Sequence, residues 1–329
     1  MEKTLLVTCH APEAVRAAIE DGLAGAARIL FLEDAEPESR GAVLSSASAL
    51  LSFFFNREVK EEEYPLLEET EIFQSISTGL DFLPFERMPK KMILACNAGG
   101  WAPQIAEHTI ALLLALSRRL IPLHNDLVKG VFNRQGYAPI SLRGKIMTVA
   151  GYGGIGRMTA DLARGFGMRI RALNTSGKTD GNVDFAGTLN DLHAVLPDTD
   201  VLLLSLPLNR HTKGVIGKTE LDLMKKNAIL LNVARAPLVV EEDLYNHLKE
   251  HPDFQAGLDV WWKEPTWGGG DFDLDHPFLE LSNVAGSPHN SNRCENDMVI
   301  ASRAAAANLA AYFRGEKISG LIRREDYIE

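Results

Sequence analysis

Residues 148–177 read TVAGYGGIGRMTADLARGFGMRIRALNTSG: an apolar run, four glycines within six positions, a stretch with helical spacing, and a second apolar run that stops at Asn174. Gly151, Gly153 and Gly156 have G-x-G-x-x-G spacing, and Gly154 and Ile155 complete the turn. Between a strand and a helix, the first glycine permits the tight turn and the second lets a pyrophosphate approach the backbone. The third lets helix and strand pack closely. The helix N-terminus then offers unpaired N–H groups to an anion. The stretch therefore reads as a strand, turn, helix and strand that bind a dinucleotide. On the glycines alone, a plain tight turn or an S-adenosylmethionine site stays open.

Asn174 stands close to where an acidic residue would accept hydrogen bonds from the adenosine ribose of NAD. A carboxylate there would repel a 2′-phosphate, whereas an amide does not. Thr175, Ser176, Gly177 and Lys178 offer hydroxyls, a backbone nest and one cation. NADP is thus at least as compatible as NAD, with Lys178 as a solvated loop residue the alternative.

Outward from this turn, short apolar runs alternate with helical patterns along nearly the whole chain, as in parallel sheets covered by helices. TLLVTC, RILFL, LLSFFF, IFQSIS and MILAC are the strands expected in the first part. KIMTVA, RIRAL, DVLLLSL, NAILLNV, FQAGLDV and NVAGS are those expected in the second. The segment from Pro103 to Lys129 has no breaker before Pro122 and predicts one long helix, or two in line, that also serves a subunit contact. Glu61-Glu62-Glu63 reads as a solvated helix face. The alanine-rich pattern after Cys294 is suited to close packing and to carrying the chain back to the first part, which makes the first domain discontinuous.

A chain of 329 residues suffices for two domains. Its net charge of −10 argues against nucleic acid or an anionic membrane as the main partner. Cys9, Cys96 and Cys294 show no metal-ligand spacing and read as reduced thiols in the cytoplasm, so no metal is expected. The run IALLLAL is far short of the ~20 residues that cross a bilayer.

The ordered segments STGLD, AEHTIALLLALSR, LRGKIMTVAGYGGIG, SLPLNRHTKGVIG, LMKKNAILLNVAR, AGLDVWWKEP and SPH cover nearly the whole length, and in them the chain resembles the D-isomer-specific 2-hydroxyacid dehydrogenases. The resemblance implies two Rossmann-like, doubly wound α/β domains with an active-site cleft between them. Residues 1–98 and 291–329 would form a substrate-binding domain, and 99–290 a dinucleotide-binding domain. It implies a homodimeric NAD- or NADP-dependent oxidoreductase that interconverts a small 2-oxo acid, such as glyoxylate or hydroxypyruvate, and the D-2-hydroxy acid. A dinucleotide-sensing, corepressor-like binding protein on the same fold is the rival reading. A methyltransferase would not need the trio that follows.

The trio implied is Arg235, Glu264 and His289. A guanidinium fork can hold both the carboxylate and the carbonyl oxygen of a 2-oxo acid. An imidazolium can donate the proton, and a neighbouring carboxylate favours the charged ring and fixes its tautomer. Taken singly, Arg235 could be a surface ion pair, Glu264 a helix-start residue and His289 a satisfied core histidine. Asp259 resembles the residue that bonds the nicotinamide carboxamide, or else it is a structural aspartate at a sheet end. Thr78 and Gly79 match the loop whose N–H groups receive the substrate carboxylate, although Gly79 also suits a bare turn. Leu206, Pro207, Thr212, Val233 and Ala234 fall beside the cofactor, Thr212 also suiting a cap on its own turn. Trp101 is a candidate wall of the substrate pocket, with packing as its alternative. Ala236-Pro237 and Asn290-Ser291-Asn292 depart from the family pattern of small residues there, which bears on specificity.

Overall fold

Runs such as Leu5-Leu6-Val7 and Leu202-Leu203-Leu204 have no polar side, so they are stable only as strands covered on both faces. The computed structural model describes residues 3–265 and 269–328 and places these runs in the middle of parallel sheets. The described residues form two compact units: one running to Trp101 and resuming at Cys294, the other spanning Ala102–Arg293.

In the first unit, β1 (Thr4–Val7), β2 (Arg28–Phe31), β3 (Ala49–Ser52), β4 (Ile72–Ser75) and β5 (Ile93–Ala95) pair in the order β2-β1-β3-β4-β5, all parallel. The helix Asp297–Phe313 packs on the helix Glu13–Leu23. Gly22 permits the close approach, since a Cβ there would lie 2.4 Å from the Arg303 carbonyl oxygen. The acidic run is more than a solvated face. It begins the 3-10 segment Glu61–Leu67, and Glu63 accepts a two-pronged pair of bonds from Arg40 at 2.6 and 2.9 Å. That guanidinium holds the Glu63 carboxyl below its ordinary range.

In the second unit, β6 (Ile146–Ala150), β7 (Arg169–Leu173), β8 (Phe185–Gly187), β9 (Val201–Leu204), β10 (Ile229–Asn232), β11 (Gln255–Leu258) and β12 (Val284–Gly286) pair in the order β12-β11-β10-β9-β6-β7-β8, again all parallel. The chain adds strands on one side of β6, then returns to add them on the other, so the order reverses between β6 and β9. Ligands of open α/β sheets bind outside the carboxyl ends at such a point.

Each apolar run read as a strand coincides with one, although β3 starts at Ala49, ahead of LLSFFF, and stops at Ser52 short of its phenylalanines, while the three-residue edge strand β8 has too little pattern to be read. The segment after Pro103 forms two helices, Ala102–Ser117 and Leu120–Val128. Their break is at Arg119, which adopts φ 54, and not at Pro122. Pro122 sits in the first turn of the second helix, where a missing N–H costs little. Burial pushes the Cys9 and Cys96 thiols up to about 12 and 11, while Cys294 lies at the surface. Among the described residues, no helix is long and apolar enough to cross a membrane, and no group of His, Cys, Asp and Glu is arranged to hold a metal.

Candidate active site

The glycine turn lies at the reversal in strand order. Gly151 follows β6 with φ 101, and a Cβ on it would come within 2.5 Å of the Ser205 backbone beyond β9. A Cβ on Gly156 would meet the Gly151 carbonyl oxygen at 2.4 Å. Gly153 is different: it is exposed, and a Cβ there would enter open space. It caps the helix Gly154–Gly165 with no side-chain acceptor. Among the described residues, the first-turn N–H groups of Gly154, Ile155 and Gly156 have no protein acceptor. Two glycines required by packing and one facing open space, beside orphaned donors at a positive helix end, fit the pyrophosphate of a dinucleotide.

At the end of β7, Asn174 is spent on its own turn. Its Oδ1 accepts the N–H groups of Ser176 at 3.0 Å and Gly177 at 2.8 Å, and its amide donates to the Lys178 carbonyl at 2.8 Å. The backbone donors read as a phosphate nest at positions 176 and 177 are therefore already taken. Thr175 and Lys178 remain as exposed polar groups. Thr212 likewise turns inward: its hydroxyl donates to the Pro207 carbonyl at 2.6 Å and accepts the Asn209 N–H at 2.9 Å. Leu206 and Val233 are buried, Ala234 is partly buried and Pro207 is exposed.

Arg235, Glu264 and His289 follow the carboxyl ends of three adjacent strands, β10, β11 and β12. Glu264 and His289 meet: Oε2 lies 2.7 Å from Nδ1, while the other carboxylate oxygen accepts the Trp261 N–H at 2.8 Å. A carboxylate can only accept, so Nδ1 carries the hydrogen that is donated to Glu264. Arg235 is partly buried, with one guanidinium nitrogen on the Ala234 carbonyl at 2.8 Å. Ala236-Pro237 begins a short 3-10 turn after it, and proline suits that position.

Asp259, 0 % exposed, is more engaged than a ligand contact alone would require. Its carbonyl accepts the His289 N–H at 2.7 Å, and its two carboxylate oxygens accept the Asn290 and Ser291 N–H groups at 3.1 Å each. Three successive amides of the histidine loop thus end on one residue. The departure Asn290-Ser291-Asn292 changes side chains but leaves these main-chain bonds in place.

In the first unit, Thr78 and Gly79 are partly exposed beyond β4. The Thr78 hydroxyl donates to the Asn97 carbonyl at 3.3 Å, and the backbone N–H groups of Thr78 and Gly79 have no protein acceptor among the described residues. Trp101 is buried, its indole N–H donating to the Ile76 carbonyl at 2.7 Å, which fits a packing residue. The sequence reading passed over His108, whose Nε2 lies 2.8 Å from the Ser287 hydroxyl. A histidine between Glu107 and Thr109, just ahead of an apolar helical run, was the local signal for it.

The family profile "D-isomer specific 2-hydroxyacid dehydrogenase, NAD binding domain" matches residues 110–291. Curated relatives include a glyoxylate reductase of Thermococcus litoralis, 29% identical over 89% of each chain. A D-3-phosphoglycerate dehydrogenase of Methanocaldococcus jannaschii is 31% identical over 78% of this chain but 48% of its own, so the match spans about half of that relative. A crystal structure from Pyrobaculum aerophilum, provisionally named a formate dehydrogenase, superposes with a TM-score of 0.81 at 29% identity, covering both chains in full. With parallel sheets, a glycine turn at the strand reversal and a family match over more than half its length, the chain belongs to the D-isomer specific 2-hydroxyacid dehydrogenases.

Proposed function

We propose that the protein reduces a small 2-oxo acid to the D-2-hydroxy acid, and runs the reverse reaction, with glyoxylate and hydroxypyruvate as the first substrates to test. The observation that carries this reading is the Glu264–His289 bond, which supports a charged imidazole and places its hydrogen on Nδ1, so that Nε2 is the nitrogen that would donate the proton. When bound, the nicotinamide supplies the hydride. His289 delivers a proton to the carbonyl oxygen, and Glu264 stabilises the imidazolium and keeps its tautomer fixed. Arg235 holds the substrate carboxylate and polarises the carbonyl. The N–H groups of Thr78 and Gly79, which have no protein acceptor among the described residues, suit a carboxylate. Those of Gly154, Ile155 and Gly156 receive the pyrophosphate, with Leu206, Pro207, Val233 and Ala234 beside the cofactor.

Asn174 leaves no carboxylate to repel a 2′-phosphate, and exposed Lys178 offers a cation, so NADP is accepted alongside NAD. We assign the segment to Trp101 and that from Cys294 to substrate binding and Ala102–Arg293 to the dinucleotide. We further propose a homodimer. The helix Leu120–Val128 and the turn after it expose Leu120, Leu127, Val128 at 73 % and Phe132 at 84 %, an apolar surface unusual for a monomer.

Mixing the protein with NADH or NADPH and a panel of 2-oxo acids tests the reading. Loss of reduced-nicotinamide absorbance with one of the acids is expected. Dinucleotide binding without turnover of any acid would replace it with the sensing role.

A further inference from the structure

We propose that His108 and Ser287 act with Asp259 as a hydrogen-bond chain that holds His289 in its working geometry, which makes His108 a positioning residue; this rests on the reading of His289 as proton donor. The need for such a device is visible in the backbone. His289 adopts φ 49, in the left-handed region that a residue with a Cβ occupies only when its surroundings impose it.

What imposes it is Asp259, through the three successive amides of His289, Asn290 and Ser291. Its main-chain carbonyl takes the first of these, and its carboxylate the other two, so the direction of the carboxylate sets the path of the loop just after His289. That direction is fixed in turn by Ser287, whose hydroxyl lies 2.6 Å from Oδ1 of Asp259. A serine hydroxyl has one hydrogen, and a carboxylate can only accept, so the hydrogen points at Asp259. The 2.8 Å contact between Ser287 Oγ and His108 Nε2 must then be donated by the imidazole N–H. His108 Nε2 is 3.8 Å from Asp259 Oδ1, so the serine relays the interaction. The polarity runs one way, from imidazole N–H through hydroxyl to carboxylate, and each bond strengthens the next. Trp261 ties the same loop from the other side, its indole N–H on the Ser287 carbonyl at 2.9 Å. The helix Ala102–Ser117 thus reaches the histidine loop across 179 residues of sequence. What the position demands of residue 108 is a donor.

The test compares His108→Leu, His108→Gln and Ser287→Ala with the wild type. Leucine keeps bulk and removes the donor, whereas glutamine keeps an N–H at similar reach. Loss of one link in a chain that ends on a carboxylate predicts a fall in kcat of roughly ten-fold for His108→Leu and Ser287→Ala, with cofactor Kd within about two-fold of wild type. His108→Gln should recover most of the rate. In parallel, the His289 ring resonances are followed by NMR, and they should shift in His108→Leu and return in His108→Gln. The NMR arm needs no turnover, so it decides the inference even if no 2-oxo acid is reduced and the functional reading falls. Should His108→Leu fail to fold, Ser287→Ala carries both measurements. Wild-type kcat and unmoved His289 signals in these variants would overturn the proposal. So would a glutamine variant as impaired as the leucine one, because packing and not donation would then be at stake.

Discussion

The two units share an architecture and reverse their strand order in the same way, yet they treat the point of reversal oppositely. In the second unit, between β6 and β9, the chain is bare: Gly153 opens onto space, and the amides of Gly154, Ile155 and Gly156 have no protein acceptor among the described residues. In the first unit, between β1 and β3, the corresponding place is filled by a carboxylate of the chain itself. Glu58 accepts the hydroxyls of Thr8 and Ser52 at 2.6 Å each and the amide of Phe54 at 2.6 Å, with Phe53 N–H at 3.2 Å. The first reversal satisfies an internal anion, whereas the second keeps its donors for one that would have to be brought. The same fold is thus either a closed structural domain edge or a receptor, depending on whether the donors at its crossover already have partners.

The largest effect expected concerns the edge of the second unit proposed to be catalytic. His289→Ala and Arg235→Ala should each lower kcat/KM on the order of 10²–10⁴-fold, the range for a lost general acid. Steady-state kinetics measure this, and near-wild-type turnover by either variant would remove the chemistry from β10 and β12. Next in size is the open reversal. A side chain at Gly153 meets no protein atom, so Gly153→Val should melt like wild type while binding dinucleotide at least about ten-fold more weakly, a cost of about 1.4 kcal/mol. Unchanged affinity by titration calorimetry would show that the phosphates lie elsewhere.

The filled reversal makes the complementary prediction. Glu58→Gln leaves hydroxyl and amide donors of the first unit competing for one carbonyl oxygen, and should destabilise the protein by about 1–3 kcal/mol without altering dinucleotide affinity. Chemical denaturation and the same calorimetry report the two quantities. If affinity falls with stability, the two reversals are not independent and the contrast between them fails.

How much of this was legible follows from the range of the interactions. The glycine turn is readable because tight turning, phosphate approach and helix packing act within six residues, and the strands because runs such as Leu202-Leu203-Leu204 have only one stable setting. Glu264 and His289 are named by the segments around them, but their bond, 25 residues apart in sequence, comes only with the β11 and β12 ends side by side. Glu58 as a plug, Asp259 as the hub of three amides and His108 as a donor leave no trace in periodicity. Each depends on a partner chosen by tertiary packing. Asn174 shows the converse: an amide read as a ligand contact is locally better used in closing its own turn.

The smallest effect separates the units by pH. The first unit contains one histidine, the exposed His10, whereas the second buries His247 on the helix Glu241–Glu250. Burial, helped by neighbouring His251, pushes the His247 imidazole from its ordinary 6.5 down to about 4. The unfolded chain therefore takes up a proton that the folded one refuses between these values. The sign follows: stability is fully present above about 6.5, falls as pH drops toward 4, and changes no further from this group below that. The cost falls on the second unit alone, so calorimetric melting between pH 7 and 4 should show the Ala102–Arg293 transition moving to lower temperature first. His247→Leu, which cannot be protonated, should flatten that dependence while leaving the other transition where it was. Two transitions that move together in the wild type, or a leucine variant with the same pH slope, would mean that the units do not differ in this respect and that their contrast is confined to the crossover loops.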